Sequence, residues 1–191
     1  MKTLQLPLFV VLVSATANVV MGGERLSLFD GKTLTGWTVL TCEATVDNGD
    51  ILIKAGNGLV QTGRKYGDFV FEFEWKALKP QDWDSGIYFR YDGVPKGSPW
   101  PPRYQANLRQ NDEGNVAGLK GAKSTGLIKP GEWNQFKLTV RGTHAELEIN
   151  GKPAWEANGL EGPKESYIAL QAEVPGGGQH RFRNIYITEI K

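Results

Sequence analysis

The chain has 191 residues, 40% of them hydrophobic, with 22 Lys+Arg against 21 Asp+Glu and a formal net charge of +1. That balance, without a basic run or an acidic tail, argues against nucleic acid and an anionic membrane surface as partners, and the hydrophobic fraction argues against disorder. The one cysteine, Cys42, excludes an internal disulfide, so packing and strand pairing must hold the fold. An exported domain built this way is more ordinary for bacteria than for eukaryotes, and Cys42 reads as an inert, partly buried thiol.

The N-terminus comes first. Lys2, the apolar run Leu4–Val13 and the small residues Ser14-Ala15-Thr16-Ala17 have the order of a secretory signal peptide. The run is too short for a membrane span, which needs about 20 residues. The expectation is a signal peptide over residues 1–23, cleaved near 17–23, and a single domain over 24–191. The protein would then be secreted or periplasmic, in a bacterium.

From there on, helical periodicity is absent and strand signals recur between Gly, Pro, Asn and Asp. Strands are expected at Ile51–Lys54, Leu59–Gln61, Asp68–Lys76, Ser85–Tyr91, Arg103–Arg109, Trp133–Val140, Ala145–Ile149, Lys152–Glu156 and Ile168–Ala172, with a closing strand through Ile185–Ile190. In Asp68–Lys76 the residues Phe69, Phe71, Phe73 and Trp75 take one face, leaving Glu72 and Glu74 on an ordinary solvent face. Arg141-Gly142-Thr143-His144 reads as a hairpin loop and Asn150-Gly151 as a tight turn. Pro99, Pro101 and Pro102 forbid a central strand in Asp92–Pro102, which becomes a long, stiff loop. Many short antiparallel strands imply a β-sandwich or barrel.

Polar residues on strand faces mark the candidate site. Gln171 and Glu173 share one face of Ile168–Ala172 and its continuation. Gln105, Asn107 and Arg109 share a face at period two, and such a row must look at solvent, ligand or one another. Asp84 and Arg90 bracket the Ser85–Tyr91 strand, and Arg90 is expected on the face of Asp84, to hold an anionic oxygen or to form a buried salt bridge. Trp83 and Trp100, in loops, are candidates to stack on sugar rings or to cap the sandwich edge. His180, beside the glycine run 176–178, is a candidate acid or metal ligand, whereas His144 belongs to a surface loop and Arg183 pins the closing strand. No His-x-His or His-x-x-x-His spacing supports zinc, but Asp84 and Glu173 could form an all-oxygen site for a divalent cation.

Five strings in order carry a resemblance: LFDGKTLTGW (28–37), DSGIYFR (84–90), YQAN (104–107), GEWN (131–134) and IALQAEVPGGGQHRFRNIYITEI (168–190). Together they resemble the 3-keto-disaccharide hydrolase domain family, from about Leu26 to Lys191. The resemblance implies an all-β fold, a two-sheet antiparallel jelly-roll sandwich similar to concanavalin-like lectins and glucanases. It also implies export and cleavage of glycosides already oxidised to a ketone at C3. Such a ketone acidifies the C2 proton; a base removes it, the C1–oxygen bond breaks by elimination, and water adds to the product. The route needs one base and donors for the enolate oxygen, not the paired carboxylates of ordinary glycosidases. Asp84 and Glu173 are the base candidates. Asn107 departs from the family pattern, where an acidic residue or a longer amide is common. If that residue carries the chemistry, the alternative is a non-catalytic carbohydrate-binding module.

Overall fold

A computed structural model describes residues 22–191. The expected signal peptide lies outside them except for Gly22 and Gly23, which open the first strand. Eleven strands follow one another: β1 Gly22–Ser27, β2 Trp37–Asp47, β3 Asp50–Thr62, β4 Phe69–Ala77, β5 Gly86–Tyr88, β6 Gln105–Asn107, β7 Asn134–Arg141, β8 His144–Ile149, β9 Lys152–Asn158, β10 Ala169–Val174 and β11 His180–Ile190. Among the described residues no helix forms. The sheet runs β6-β5-β10-β3-β11-β4-β7-β8-β9, with β1 added to β11 and β2 to β3, and every pairing is antiparallel.

The curl into two layers starts in β3. Its first half, Ile51–Ile53, pairs with β11, and its second half, Gly56–Gln61, pairs with β10. Gly56 between them has φ +85°, open to glycine at little cost. The layers close over Phe69, Phe71, Phe73 and Trp75 of β4, Phe136, Leu138 and Val140 of β7, and Ile87, Ala106 and Leu170 from the other side, all fully buried. Burying such side chains stabilises by about 1.5–3 kcal/mol each before entropy is counted. Glu72 and Glu74 stay on the outer face, paired with Arg25 at 2.7 Å and Arg183 at 2.7 Å. Arg183 also lies 3.8 Å over the Trp133 ring, which ties the closing strand as expected.

The sequence expectations differ from the structure in three respects. The two segments at Ile51–Lys54 and Leu59–Gln61 are one continuous strand. Ser85–Tyr91 and Arg103–Arg109 shrink to the three-residue strands β5 and β6. The sequence pattern does not show β1 and β2; both lie off the main strand path, each held by one neighbour, and β2 mixes polar and apolar residues with an irregular burial pattern. The Asp92–Pro102 loop is strand-free as expected, and it folds Trp100 back over the outer face of β10. There Trp100 joins a second small apolar cluster with Leu59, Tyr88, Tyr91 and Ala169.

Candidate functional site

Strand alternation builds the site on the outer face of β6, β5 and β10. Tyr88 sits opposite both Gln105 and Ala169, and Gly86 opposite Asn107. Ala169, Gln171 and Glu173 therefore share the face of Tyr88 and Gln105, while Leu170 and Ala172 enter the core. Gln105 Nε2 donates to Gln171 Oε1, and Gln171 Nε2 donates to Glu173 Oε2 at 2.8 Å. This chain fixes the direction of both amides. Its last member, Glu173, accepts. The chain exists because Gly86 has no side chain: an added Cβ would lie 2.0 Å from Gln105 Nε2.

Asp84 reaches the same place from the end of the preceding loop. Its backbone N–H donates to Gly177 O at 2.9 Å, and Gly177 N–H donates to Glu173 O at 2.6 Å. Here too a glycine is required, since a Cβ on Gly177 would lie 2.1 Å from the Asp84 carbonyl oxygen. Lys79 Nζ donates to Gly176 O at 2.9 Å and to Asp82 O at 3.0 Å, tying the glycine turn to the loop. Asp84, Glu173, Trp83, Arg109 and Gln110 line one hollow of about 350 Å³. Arg109 Nε stands 3.8 Å from Asp84 Oδ2 on a largely exposed side chain. Asn107 Oδ1 accepts the Arg109 backbone N–H at 2.8 Å, so the end of β6 turns there.

Electrostatics set the groups apart. Burial pushes the Asp84 carboxyl up; nearby Arg109 opposes this and Asp112 adds to it. Burial also pushes Glu173 up, the Asp84 charge pushes it further, and Arg109 opposes both. Tyr88 is raised well above the ordinary tyrosine range, first by burial and then by the charges of Glu173 and Asp84. The site thus holds a carboxylate made more basic by burial and by the Asp84 charge, on the same sheet face as a buried phenol kept in the donor form. Tyr88 was missed by sequence reasoning; its place two residues after Gly86, on the same face, was the available signal.

Four expectations need correction. Arg90 does not face Asp84. The strand has ended, Arg90 takes φ +52°, and its guanidinium turns away to Asp68 at 2.7 Å and to the carbonyls of Pro163, Lys164 and Gly142. It is a buried tie between loops. His180 is not at the site either. It is 1% exposed, packs beside Trp75 and Phe182, and its Nδ1 contacts Gly178 O at 3.2 Å. Burial lowers its pKa to about 4, so it is a neutral core residue. Neither tryptophan is an open platform. Trp100 is half-buried with Nε1 donating to Ala172 O at 3.1 Å, and Trp83 is buried although its edge lines the hollow. Cys42 is half-buried with a thiol raised by burial, as expected.

For a cation, Asp84 and Glu173 offer two carboxylates. Among the described residues the one group of three ligand-type side chains is elsewhere, at His144, Glu146 and Glu156 on the β8–β9 edge.

The fold is shared with carbohydrate-active proteins. A structure from Parabacteroides distasonis, named a "putative glycosyl hydrolase", superposes with TM-score 0.70 at 20% identity, covering 87% of this chain and 94% of that one. The carbohydrate-binding module CBM66 of Bacillus subtilis gives 0.62 at 16% identity, covering 78% and 93%. The Bacillus licheniformis β-glucanase gives 0.56 at 14% identity, covering 90% and 100%. At these identities the likeness establishes the jelly-roll fold alone. Comparison with curated proteins finds none that matches. The sequence model of the 3-keto-alpha-glucoside-1,2-lyase-like domain matches residues 24–188, nearly the whole described chain, and the protein belongs to that family.

Proposed function

We propose that the chain is an exported bacterial enzyme that cleaves 3-keto-glycosides by C2 deprotonation and elimination, followed by hydration. The observation that carries this reading is the Gln105–Gln171–Glu173 chain, which ends beside Asp84 and Arg109 on the sheet face that also carries Tyr88. Glu173 is the base. Its Oε2 takes the Gln171 amide, and its Oε1 faces the glycine turn near Gly176. Its raised pKa makes it a stronger base than an exposed carboxylate. It takes the C2 proton of a 3-keto sugar, and the electron pair forms the enolate on the C3 oxygen. Arg109 stabilises that oxygen. As the C1–oxygen bond breaks, the enolate collapses to the C1=C2 enone, and the departing oxygen takes a proton from Tyr88. Water then adds at C1 to give the free keto sugar. Asp84 holds Arg109 and raises Glu173.

Turnover of a 3-keto disaccharide in D₂O, followed by NMR, tests the route. Proton abstraction places solvent deuterium at C2 of the released keto sugar. Release with the C2 proton fully retained would instead mean displacement at C1 and would remove Glu173 from the role of base.

A further inference from the structure

A second hollow, of about 290 Å³, lies against the first and shares Trp83, Gln110 and Asn111 with it. The dividing wall is fixed. Gln110 N–H donates to Trp83 O at 3.0 Å, and the Asp82 N–H donates to Gln110 Oε1 at 2.5 Å. The far side is lined by Glu113, Ser124 and Thr125. Glu113 is presented by a clamped backbone: Ser124 Oγ donates to its carbonyl, and Trp155 Nε1 donates to Gly114 O at 2.7 Å. Gly114 has to be glycine there, with φ +84° and Ile149, Ser124 and Leu147 all within 2.9 Å of where a Cβ would sit.

In this hollow one buried donor lacks a hydrogen-bond partner, and one half-buried carboxyl lacks a cation. The Trp83 indole N–H is buried without a hydrogen-bond partner, in a residue 3% exposed. The Glu113 carboxyl is half-buried; burial pushes its pKa up, backbone N–H groups oppose this, the nearby Trp83 indole opposes it too although it falls short of a hydrogen bond, and no lysine or arginine contributes. A half-buried carboxyl without a cation, beside an orphaned indole donor, is costly to keep. The cost is offset when a ligand brings hydroxyls, which both donate and accept.

We propose that this hollow is a second sugar subsite, which takes the leaving ring of a neutral disaccharide whose 3-keto ring occupies the Asp84–Glu173 hollow. Glu113 accepts the hydroxyl hydrogens of that ring, the Trp83 indole N–H donates to one of its oxygens, and the indole supplies the apolar wall. The volume fits one ring, at the lower end of small-ligand sites, about 300 Å³. The ligand is neutral because Asp82, Asp84, Glu113 and Glu173 line the two hollows against Arg109 alone. Uronates, sulfated and phosphorylated sugars are repelled. The assignment of the two rings rests on the function proposed above.

The test compares a 3-keto disaccharide with the methyl 3-keto-glucoside on wild type, Glu113→Gln and Thr125→Phe. Thr125 is exposed, so the larger ring fills the hollow from its rim. The subsite predicts that the ratio of kcat/KM, disaccharide over methyl glycoside, falls about tenfold in Glu113→Gln, as for loss of a hydrogen bond to a charged group, and falls at least as far in Thr125→Phe, where the hollow is filled. An unchanged ratio in folded variants overturns it. If wild type releases no keto sugar from either compound, the proposed activity fails by itself. The subsite is then read by calorimetric titration with the unoxidised disaccharide and methyl glucoside. Tighter disaccharide binding that Glu113→Gln abolishes supports it, and equal binding, or none, overturns it.

Discussion

Gly86→Ala isolates the amide chain from the rest of the fold. Gly86 has no positive φ, so alanine fits its backbone. The new Cβ would stand 2.0 Å from Gln105 Nε2 and 2.6 Å from its Cδ and Cγ, where ordinary contact begins at 3.4 Å. The Gln105 amide must therefore retreat by about 1.4 Å, the difference between those two distances, and it loses Gln171 Oε1. The broken hydrogen bond costs about 1 kcal/mol. Reduced chain entropy in the unfolded state returns about 0.4–1 kcal/mol. Stability should change little, with Tm moving by only a few degrees. Turnover should change much more. Gln171, no longer held from behind, stops presenting its N–H to Glu173, and a displacement near 1 Å can cost about 10²-fold in rate. The expected result is a fall of about 10- to 100-fold in kcat/KM on a 3-keto disaccharide, with a near-native melting curve. Unchanged kcat/KM with Gln105 displaced in a crystal structure would refute the role of the chain. A loss of Tm above about 10 °C would mean that Gly86 serves packing instead.

Three further outcomes follow from the geometry. Asp84→Asn removes the charge that raises Glu173, so the acid limb of kcat/KM should move to lower pH; a limb that stays in place would show that the two carboxylates do not communicate. Gly177→Ala forces a Cβ against the Asp84 backbone at 2.1 Å, where no flexible side chain can yield; urea titration should show a loss of about 1–3 kcal/mol, and a neutral result would mean the turn can open. His180 has a folded pKa of about 4 against 6.5 in its ordinary state, so the unfolded chain binds the extra proton. The stability this neutral His180 contributes is complete above about pH 6.5 and is lost as pH falls toward 4, by about 3 kcal/mol in all. His180→Phe should flatten that part of the pH–stability curve relative to wild type, and identical curves would contradict the burial argument.

The layers of the sandwich were legible because burial imposes a period. Phe69, Phe71, Phe73 and Trp75 declare their face, and so do Leu170 and Gln171. The shared face of Gln171 and Glu173 followed from the same alternation. What pattern cannot carry is where a strand stops. Counting residues along an unbroken strand puts Arg90 on the face of Asp84, but β5 ends at Tyr88 and a left-handed backbone turns Arg90 to Asp68. His180 looked catalytic because it lies near Glu173 in sequence; β11 sends it inward with Phe182. Glu113 gives no signal of its own, since it looks like any loop acid, and Tyr88, which looks like a strand aromatic, gives only its place two residues after Gly86. Their character comes from burial and from charges on other segments. Gly86 and Gly177 each mark a close approach of another chain segment, which a glycine in a sequence does not announce.

The most direct test of the central claim is release of free keto sugar from a 3-keto disaccharide by wild type and Glu173→Gln, with folding checked by circular dichroism and parallel runs in EDTA. The account predicts release by wild type, and loss of at least about 10³-fold when the base is replaced, within the contribution of general-base catalysis. EDTA has no effect if Arg109 and Tyr88 suffice, and abolishes release if Asp84 and Glu173 hold a cation. Full turnover by folded Glu173→Gln would contradict the account.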